Sequence, residues 1–587
     1  MTGRARAPRV DRPAAGRAAR LLPRVFLALG AFVALSDAFA FGHASLSGLA
    51  QLLPFEVTSV DPLAAALSAA GLAALAVGLY RGKRLAWWLA VLVFAAGVPV
   101  QVLALGHTVG GVVAAIALTL LTLDRRHYGV RSARTWGWTA WALLAAGAAA
   151  ATLSMLLLIV RDASDGIAAD LPDLAGAITS WLAFGDLSQP PTGPRTALIL
   201  SLAIAARAAL LLALLAMLRP AGDDAPTPEL RRRVLELARR YGRGALLPFQ
   251  VTGDKRWFCP PGRESFVAYG RDGRMAVVVG DPVGLVEDRW PTFASFVDEC
   301  RRHDWVPVVY QASQDSVERL GGLGFQASPI GREAIVDLPA FGLAGSHRAN
   351  LRHTIARARR GGLRVAWYRD GLEEAAAEVR EGLTTIDAAW RARSGPAEMR
   401  FTISRFSRDD LRANPVAVAL DGAGAPVAFA SFRSTGSDGG FVLDLIRRVP
   451  GGIPGAVEYC LAEAAERFRD EGAATLSLGL APLSGLDASG DRLEERALAA
   501  TARLVRPFYD VEGLAFFKDK FAPRWEMRYV AVPSRLHLLG LGVALLRLHV
   551  GSLSRTAVRA IVPGTRGAPG RVRPAIREDD PAASASS

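Results

Sequence analysis

Between Pro415 and Ala481 the spacing of apolar positions changes character repeatedly, with almost no spare residues. PVAVALD and APVAFASF read as strands, and Asp421-Gly422 between them predicts a tight hairpin, because such a pair tolerates positive φ. GFVLDLIRR is a third strand ending in an acid and two arginines, and VPGGIPG interrupts the chain before a helix can start. In AVEYCLAEAAERFRDEG, Val457, Leu461, Ala464 and Phe468 recur on one helical face and Gly472 stops the run. ATLSLGL follows as a fourth strand. Upstream, an amphipathic helix (ELRRRVLELARRYG) precedes a hairpin around Asp272-Gly273, and then helix TFASFVDECRRH, strand WVPVVYQAS, helix QDSVERLGGLG and strand EAIVDL. Two similar α+β units in tandem predict a duplicated fold with a cleft between its halves.

Before residue 219 the pattern is different. Apolar segments approaching the ~20 residues that span a bilayer occur at 25–42, 63–80, 85–105, 109–123, 136–160 and 196–218. Six spans are the best count, and the short fourth segment leaves five or seven open. Arg81, Lys83 and Arg84, and then Arg125, Arg126, Arg131 and Arg134, fall on the same side as the arginine-rich N-terminus, whereas the 161–195 loop carries Asp162, Asp165, Asp170, Asp173 and Asp186. Short basic loops stay cytoplasmic, so the part after Leu218 is expected in the cytosol. Asp37 and Arg207, inside spans, face the bundle interior as an ion pair or line a path for a lipid headgroup. The expected organisation is a basic N-terminus (1–24), a membrane domain (25–218), a first unit (219–343), a basic linking helix (344–364), a second unit (365–533) and a tail (534–587). That tail holds an interfacial helix, LHLLGLGVALLRLHV, and a disordered end from about 563.

Composition narrows the partners without choosing among them. The 587 residues carry 69 basic against 55 acidic groups, a net +14, which suits RNA or a phospholipid surface equally. Cys259, Cys300 and Cys460 have no C-x-x-C spacing, so neither a disulfide framework nor a cysteine-based zinc site is expected. Lysine is scarce. Lys83 lies in a loop flanking the membrane segments, while Lys255, Lys518 and Lys520 sit in D-K-R-W-F and F-F-K-D-K-F, which suggests that a compact, mobile charge is wanted there.

Five motifs in order carry a resemblance: G-D-K-x-W-F, V-V-G-D-P-V-G, L-D-L-I-R-R, L-S-L-G-L-A-P-L-S and F-Y-D-V-E-G-L-A-F-F-K-D-K-F-A-P-R-W-E-M-R-Y. Over about residues 228–533 the chain resembles the synthase domain of the phosphatidylglycerol lysyltransferase (multiple peptide resistance factor) family. The resemblance implies a multi-pass α-helical membrane domain followed by two tandem GNAT-like acyltransferase units. It implies transfer of an aminoacyl group from aminoacyl-tRNA to phosphatidylglycerol, which lowers the negative charge of the membrane and the action of cationic peptides on it. The implied partners are charged tRNA, phosphatidylglycerol and anionic lipid, and copies of the chain itself through the membrane domain; no cofactor and no metal are implied. Larger members place more spans before the synthase to form a flippase, so this chain reads as a synthase with a shortened membrane part, its charged tRNA supplied separately. A CoA-dependent or Fem-type transferase, or a lipid flippase with a non-catalytic soluble part, are the alternatives.

The implied reaction asks for an acceptor hydroxyl held in line, help for its proton, and positive charge near the oxyanion. No histidine lies between His353 and His537, which excludes a Ser-His-Asp triad in the second unit. Asp444 and Arg447 match the family's functional acid and arginine: Asp444 would orient the amine or hydroxyl and Arg447 the phosphate or oxyanion, the other reading being a salt bridge at a strand end. Asp254, Lys255, Arg448, Lys518, Lys520 and Arg524 are the expected substrate-binding residues. An extended F-F-K-D-K-F would point Lys518 and Lys520 to the same side, and Lys83 is expected to be a bystander. Arg348, Arg352, Arg357, Arg359 and Arg360 form a basic stripe that binds tRNA phosphates or is a solvated helix face. The 451–455 glycine loop cradles a phosphate or simply turns the chain.

Overall fold

The computed structural model describes residues 62–99, 108–131, most of 139–153, 194–222, 225–394, 400–486 and 511–550. The expected segment at 25–42, most of the one at 136–160, and the tail beyond 550 lie outside the described residues. Four of the six apolar segments are helices: α1 (Pro62–Tyr80), α2 (Arg84–Pro99), α3 (Thr108–Leu123) and α4 (Pro194–Met217). Among the described residues no helix is long and apolar enough to cross a membrane. The four still pack together, α1 on α4 and α2 on α3, with Ala76, Leu79, Ala90, Ala114 and Leu121 in their common core.

The remaining chain forms α5 (Pro228–Tyr241) and then one sheet. Its strands are β1 (Arg256–Phe258), β2 (Ser265–Asp272), β3 (Met275–Val279), β4 (Val283–Gly284), β5 (Val306–Ala312), β6 (Gln326–Asp337), β7 (Arg364–Tyr368), β8 (Val416–Leu420), β9 (Pro426–Ser434), β10 (Phe441–Arg448), β11 (Thr475–Pro482) and β12 (Arg524–Val532). Their order across the sheet is β1-β2-β3-β5-β12-β6-β11-β10-β9-β8-β7, with β4 pairing beside β2. The two expected units are both present, but they are not two separate sheets with a cleft between. Each gives its last strand to the other: β12 joins the first unit beside β5, β6 joins the second beside β11, and β6 and β12 pair antiparallel along almost their full length. A pattern of apolar residues reports that a strand is buried, not which neighbour it pairs with, so this exchange is invisible to periodicity.

Helices cover both faces. In the first unit, α6 (Val286–Arg302) and α7 (Gln314–Gly322) bury Phe293, Phe296, Cys300 and Leu320 on one face. The other face is covered by α13 (His537–Val550) through Leu538, Leu541 and Ala544. The helix expected at the lipid interface thus packs one side on the sheet, while Leu539 and Val543 on the same helix are exposed. In the second unit, α8 (Ala349–Arg360) and α11 (Ala456–Asp470) pack on one face, and α9 (Ala377–Ser394) and α10 (Arg408–Ala413) on the other. β8 shows the alternation that serves both: Ala417 and Ala419 face α11, Val416, Val418 and Leu420 face α9. The hairpin after it is also looser than expected. Its left-handed residue is Gly424 (φ 87°), and Asp421 accepts from the N–H groups of Ala423 and Ala425.

The helical bundle is joined to the first unit by a buried charge. Lys83 is fully buried, its Nζ 3.1 Å from a carboxylate oxygen of Asp304 and donating to the carbonyls of Arg219 (3.1 Å) and Arg131 (3.3 Å). Asp304, left-handed at φ 59° in the turn between α6 and β5, also takes Arg274 at 2.6 Å. Backbone bonds from Arg131 N to Arg302 O and from Ala221 N to His303 O complete the joint. The lysine expected to be a bystander is thus the centre of an internal contact; its partners lie 48 (Arg131) and 136 (Arg219) residues away in sequence, and Asp304 farther still, which no local motif shows.

Candidate active site

The second unit opens where its two parallel strands part. β10 and β11 pair only at Phe441–Leu476 and Val442–Ser477. Beyond that, β10 bulges against β9 at Asp444 and β11 bulges against β6 near Gly479, whose φ of 80° only glycine adopts without strain. The result is a wedge with charged groups on both limbs.

On the β10 limb, Asp444 and Arg447 do not meet. Asp444 accepts from the N–H of Ser404 (3.0 Å) and from Nε of Arg433 (2.7 Å), and Arg433 continues to Asp410 at 3.1 Å. Arg447 donates Nε to the fully buried Asp387 at 3.1 Å and lies 3.7 Å from the ring centre of Trp390; Asp387 also pairs with Arg391 at 2.7 Å. Both expected residues therefore sit at the wedge, each held by a partner from the α9–α10 layer. Arg433 and Asp387 were missed because they lie in segments, A-F-A-S-F-R and T-T-I-D-A-A-W, that read locally as an ordinary strand and helix. Arg448 is exposed at the strand end.

The β11 limb is organised by Lys518. It lies in α12 (Val511–Asp519), a helix rather than the extended segment expected, so Lys518 and Lys520 diverge. Lys518 is 4% exposed and donates to the carbonyls of Gly479 (2.9 Å) and Leu480 (2.8 Å), where β11 has left β10 and resumes its pairing with β6 after the bulge. Burial, offset in part by Glu333, lowers its pKa to about 7. Two donated hydrogen bonds, with no carboxylate paired to it among the described residues, are what a neutral amine can satisfy while keeping its lone pair free. Beside it Glu333 accepts from Ser477 and from Nε of Arg528 (2.7 Å), a buried pair spanning β6, β11 and β12. A single acid inside the apolar run of β6 was its only sequence signal.

The other expected residues are elsewhere. Lys520 binds Glu458 on α11 at 2.8 Å, and Arg524 pairs with Glu526 and, at 3.7 Å, Asp337. Lys255 is 1% exposed, paired with Asp254 at 2.7 Å and 4.8 Å from the ring of Phe401. Enclosed in this way it stabilises the first unit and has no surface to offer a phosphate. On α8, Arg348 and Arg352 bond to carbonyls of their own approach loop, at Gly342 and Leu343, and Arg359 reaches the Tyr459 hydroxyl; Arg357 and Arg360 are exposed. The glycine loop packs on this helix: a Cβ on Gly455 (φ 89°) would stand 2.8 Å from Thr354 Cγ2.

Residues 247–532 match the family model for phosphatidylglycerol lysyltransferase, C-terminal. The phosphatidylglycerol lysyltransferase of Bacillus subtilis (strain 168) is 27% identical over 314 residues, 53% of this chain and 36% of that protein. The lysylphosphatidylglycerol biosynthesis bifunctional protein LysX of Mycobacterium marinum (strain ATCC BAA-535 / M) is 28% identical over 496 residues, 81% of this chain and 44% of that protein. The alignments thus span less than half the length of either relative. The structure of L-PGS from Bacillus licheniformis superimposes with a TM-score of 0.47 at 23% identity, covering 56% of this chain and 98% of that one.

Proposed function

We propose, from the membership of residues 247–532 in the phosphatidylglycerol lysyltransferase C-terminal family, that the chain transfers an aminoacyl group from charged tRNA to phosphatidylglycerol at the wedge between β10 and β11. The observation that carries the reading is the wedge itself: two parallel strands part after two residue pairs, with Arg447 on one limb and the enclosed amine of Lys518 on the other. In the reaction, the glycerol hydroxyl oxygen bonds to the ester carbonyl carbon, the bond from that carbon to the ribose oxygen breaks, and the hydroxyl proton ends on the ribose. Lys518 takes the proton and returns it. Its pKa of about 7 matches that task near neutral pH. Arg447 faces the oxyanion side, and the Asp387 carboxylate and Trp390 ring hold its guanidinium in place. Asp444, through Arg433, positions the same limb.

The chain works at a bacterial membrane, with α1–α4 as part of an apolar bundle whose basic loops lie on the side of the catalytic part. Exposed arginines of α8 contribute to holding the tRNA. The test is a lipid extract from membranes containing the full chain: a new ninhydrin-positive phospholipid should form only when charged tRNA and phosphatidylglycerol are both supplied. Product formed from an acyl-CoA alone would replace this reading with a CoA-dependent transferase, and lipid movement without new lipid would replace it with a transporter.

A further inference from the structure

Beside the wedge, α8, α11 and α12 converge on a small surface that the reaction does not use. Phe516 projects from α12 with 65% of its surface exposed. Lys520 Nζ lies 5.8 Å from the centre of that ring and 5.7 Å from Phe517, held by Glu458. The next residue on α11, Tyr459, accepts from Nε of Arg359 at 3.0 Å, and the guanidinium lies 4.9 Å from its ring centre. Arg348 Nε reaches the carbonyl of Phe521 at 3.4 Å and so ties the start of α8 to the end of α12. Exposed Arg357 and Arg360 extend the positive charge along α8. Among the described side chains, Glu458 pairs with Lys520 and Asp519 accepts from the indole N–H of Trp525 (3.1 Å).

Among the described residues Phe516 is the exposed ring of this cluster, and one ring set among cations is poorly suited to an oily surface, which rewards a continuous apolar stripe. It suits an unpaired nucleotide, whose base stacks on the ring while its phosphates meet the cations. A duplex would use the cations and leave the ring idle. We propose that this cluster receives the unpaired 3′ end of the donor RNA, with a base stacked on Phe516 and the flanking phosphates between Lys520 and Arg359. The inference rests on the reading that charged tRNA is the donor, and names the part of it that is held.

The test uses the full chain and two labelled RNA hairpins with the same duplex, one blunt and one with a short single-stranded 3′ overhang. The wild type should bind the overhang form more tightly. Phe516→Ala should abolish that preference, weakening the overhang form about tenfold and leaving the blunt form unchanged, and Phe516→Trp should retain it. Lys520→Gln should weaken both forms and lower the salt dependence by about one unit of slope. The proposal is overturned if the wild type shows no preference, or if Phe516→Ala keeps it. It is equally overturned if Phe516→Ala instead loses binding to phosphatidylglycerol vesicles, which would assign the ring to a lipid face. Failure of the donor reading is separate: the wild type would then make no aminoacylated lipid from charged tRNA, whatever the hairpins do.

Discussion

The two parallel strand pairs in the sheet are built alike and end differently. β3 and β5 stay in register from Met275–Val306 to Val279–Tyr310, and the N–H of Gly280 still reaches the carbonyl of Tyr310 at 2.8 Å. Where β3 ends, the buried amide of Gln250 caps the carbonyls of Val279 (2.6 Å) and Asp281 (2.9 Å). β10 and β11 separate after two pairs, and beyond them the amine of Lys518 donates to the β11 carbonyls of Gly479 and Leu480. A neutral amide closes one pair; a group that can change its protonation state closes the other. The copy that stayed shut carries instead the joint to the helices, through Asp304. The two ends of one sheet thus differ: the closed pair lies in the unit that contacts the helices, and the open pair lies in the unit that holds the proposed site.

The largest effect expected from breaking this division is at Lys518. Lys518→Met should lower transfer by roughly a hundredfold or more, the range of general acid–base catalysis. Lys518→Arg should fail as well, since a guanidinium stays charged and does not fit an enclosed site. Gln250→Leu, the matching change in the closed pair, should lower the melting temperature and leave transfer per folded molecule unaltered. Equal turnover by Lys518→Met and wild type would remove the amine from the mechanism.

Next in size is Arg447→Ala, which leaves Asp387 buried beside only the half-exposed Arg391 and should cost about 3–5 kcal/mol of stability, as broken buried pairs do. The double change Arg447→Met with Asp387→Leu should restore most of that stability without restoring product. Recovery of transfer together with stability would make the pair a salt bridge at a strand end and nothing more.

At the joint, Asp304→Asn leaves Lys83 without its carboxylate, and Lys83→Arg forces a larger, planar group into a site with no free volume. Either should expose the 218–228 connection to protease and raise the KM for lipid several-fold, with a smaller change in kcat, because the wedge itself is untouched. Unchanged cleavage rates would mean that the bundle and the first unit do not depend on this contact.

Much of this was legible in the residues, and what was not has a common cause. The elements α5, β2, β3, α6, β5, α7, β6, α8, β8–β10, α11 and β11 follow from apolar spacing, and the hairpin at Asp272-Gly273 forms as expected, with Gly273 at φ 54°. Asp444 and Arg447 were found because strand ends are where charges are conspicuous. Hidden from the sequence were relations between segments: the exchange of β6 and β12, the Arg447–Asp387 pair across 60 residues, and the Lys83–Asp304 contact across the two parts of the chain. The F-F-K-D-K-F motif misled for a related reason. Its aromatic and charged residues suit a strand or a helix, and packing of Phe521 into the core and Phe517 against it decided for a helix with a turn after Asp519.

The smallest effect sharpens the comparison most, since it distinguishes a titrating cap from a neutral one. Burial holds the Lys518 amine at a pKa of about 7 in the folded chain, against the ordinary value of 10.5. The unfolded chain therefore keeps a proton there up to about pH 10.5, whereas the folded chain gives it up near 7. Between those limits the unfolded state binds more protons, so this residue makes stability rise with pH, and below about 7 its penalty is complete and constant. Lys518→Met cannot titrate. Its melting temperature relative to wild type should be highest at and below neutral pH and should fall steadily as pH climbs toward 10, a drift worth on the order of a few kcal/mol in total. The difference between Gln250→Leu and wild type should stay flat over the same range, because an amide has no proton to exchange. A flat difference for Lys518→Met too would mean that the folded chain holds a charged amine against two carbonyls, and the proton-carrying role of Lys518 would fall with it.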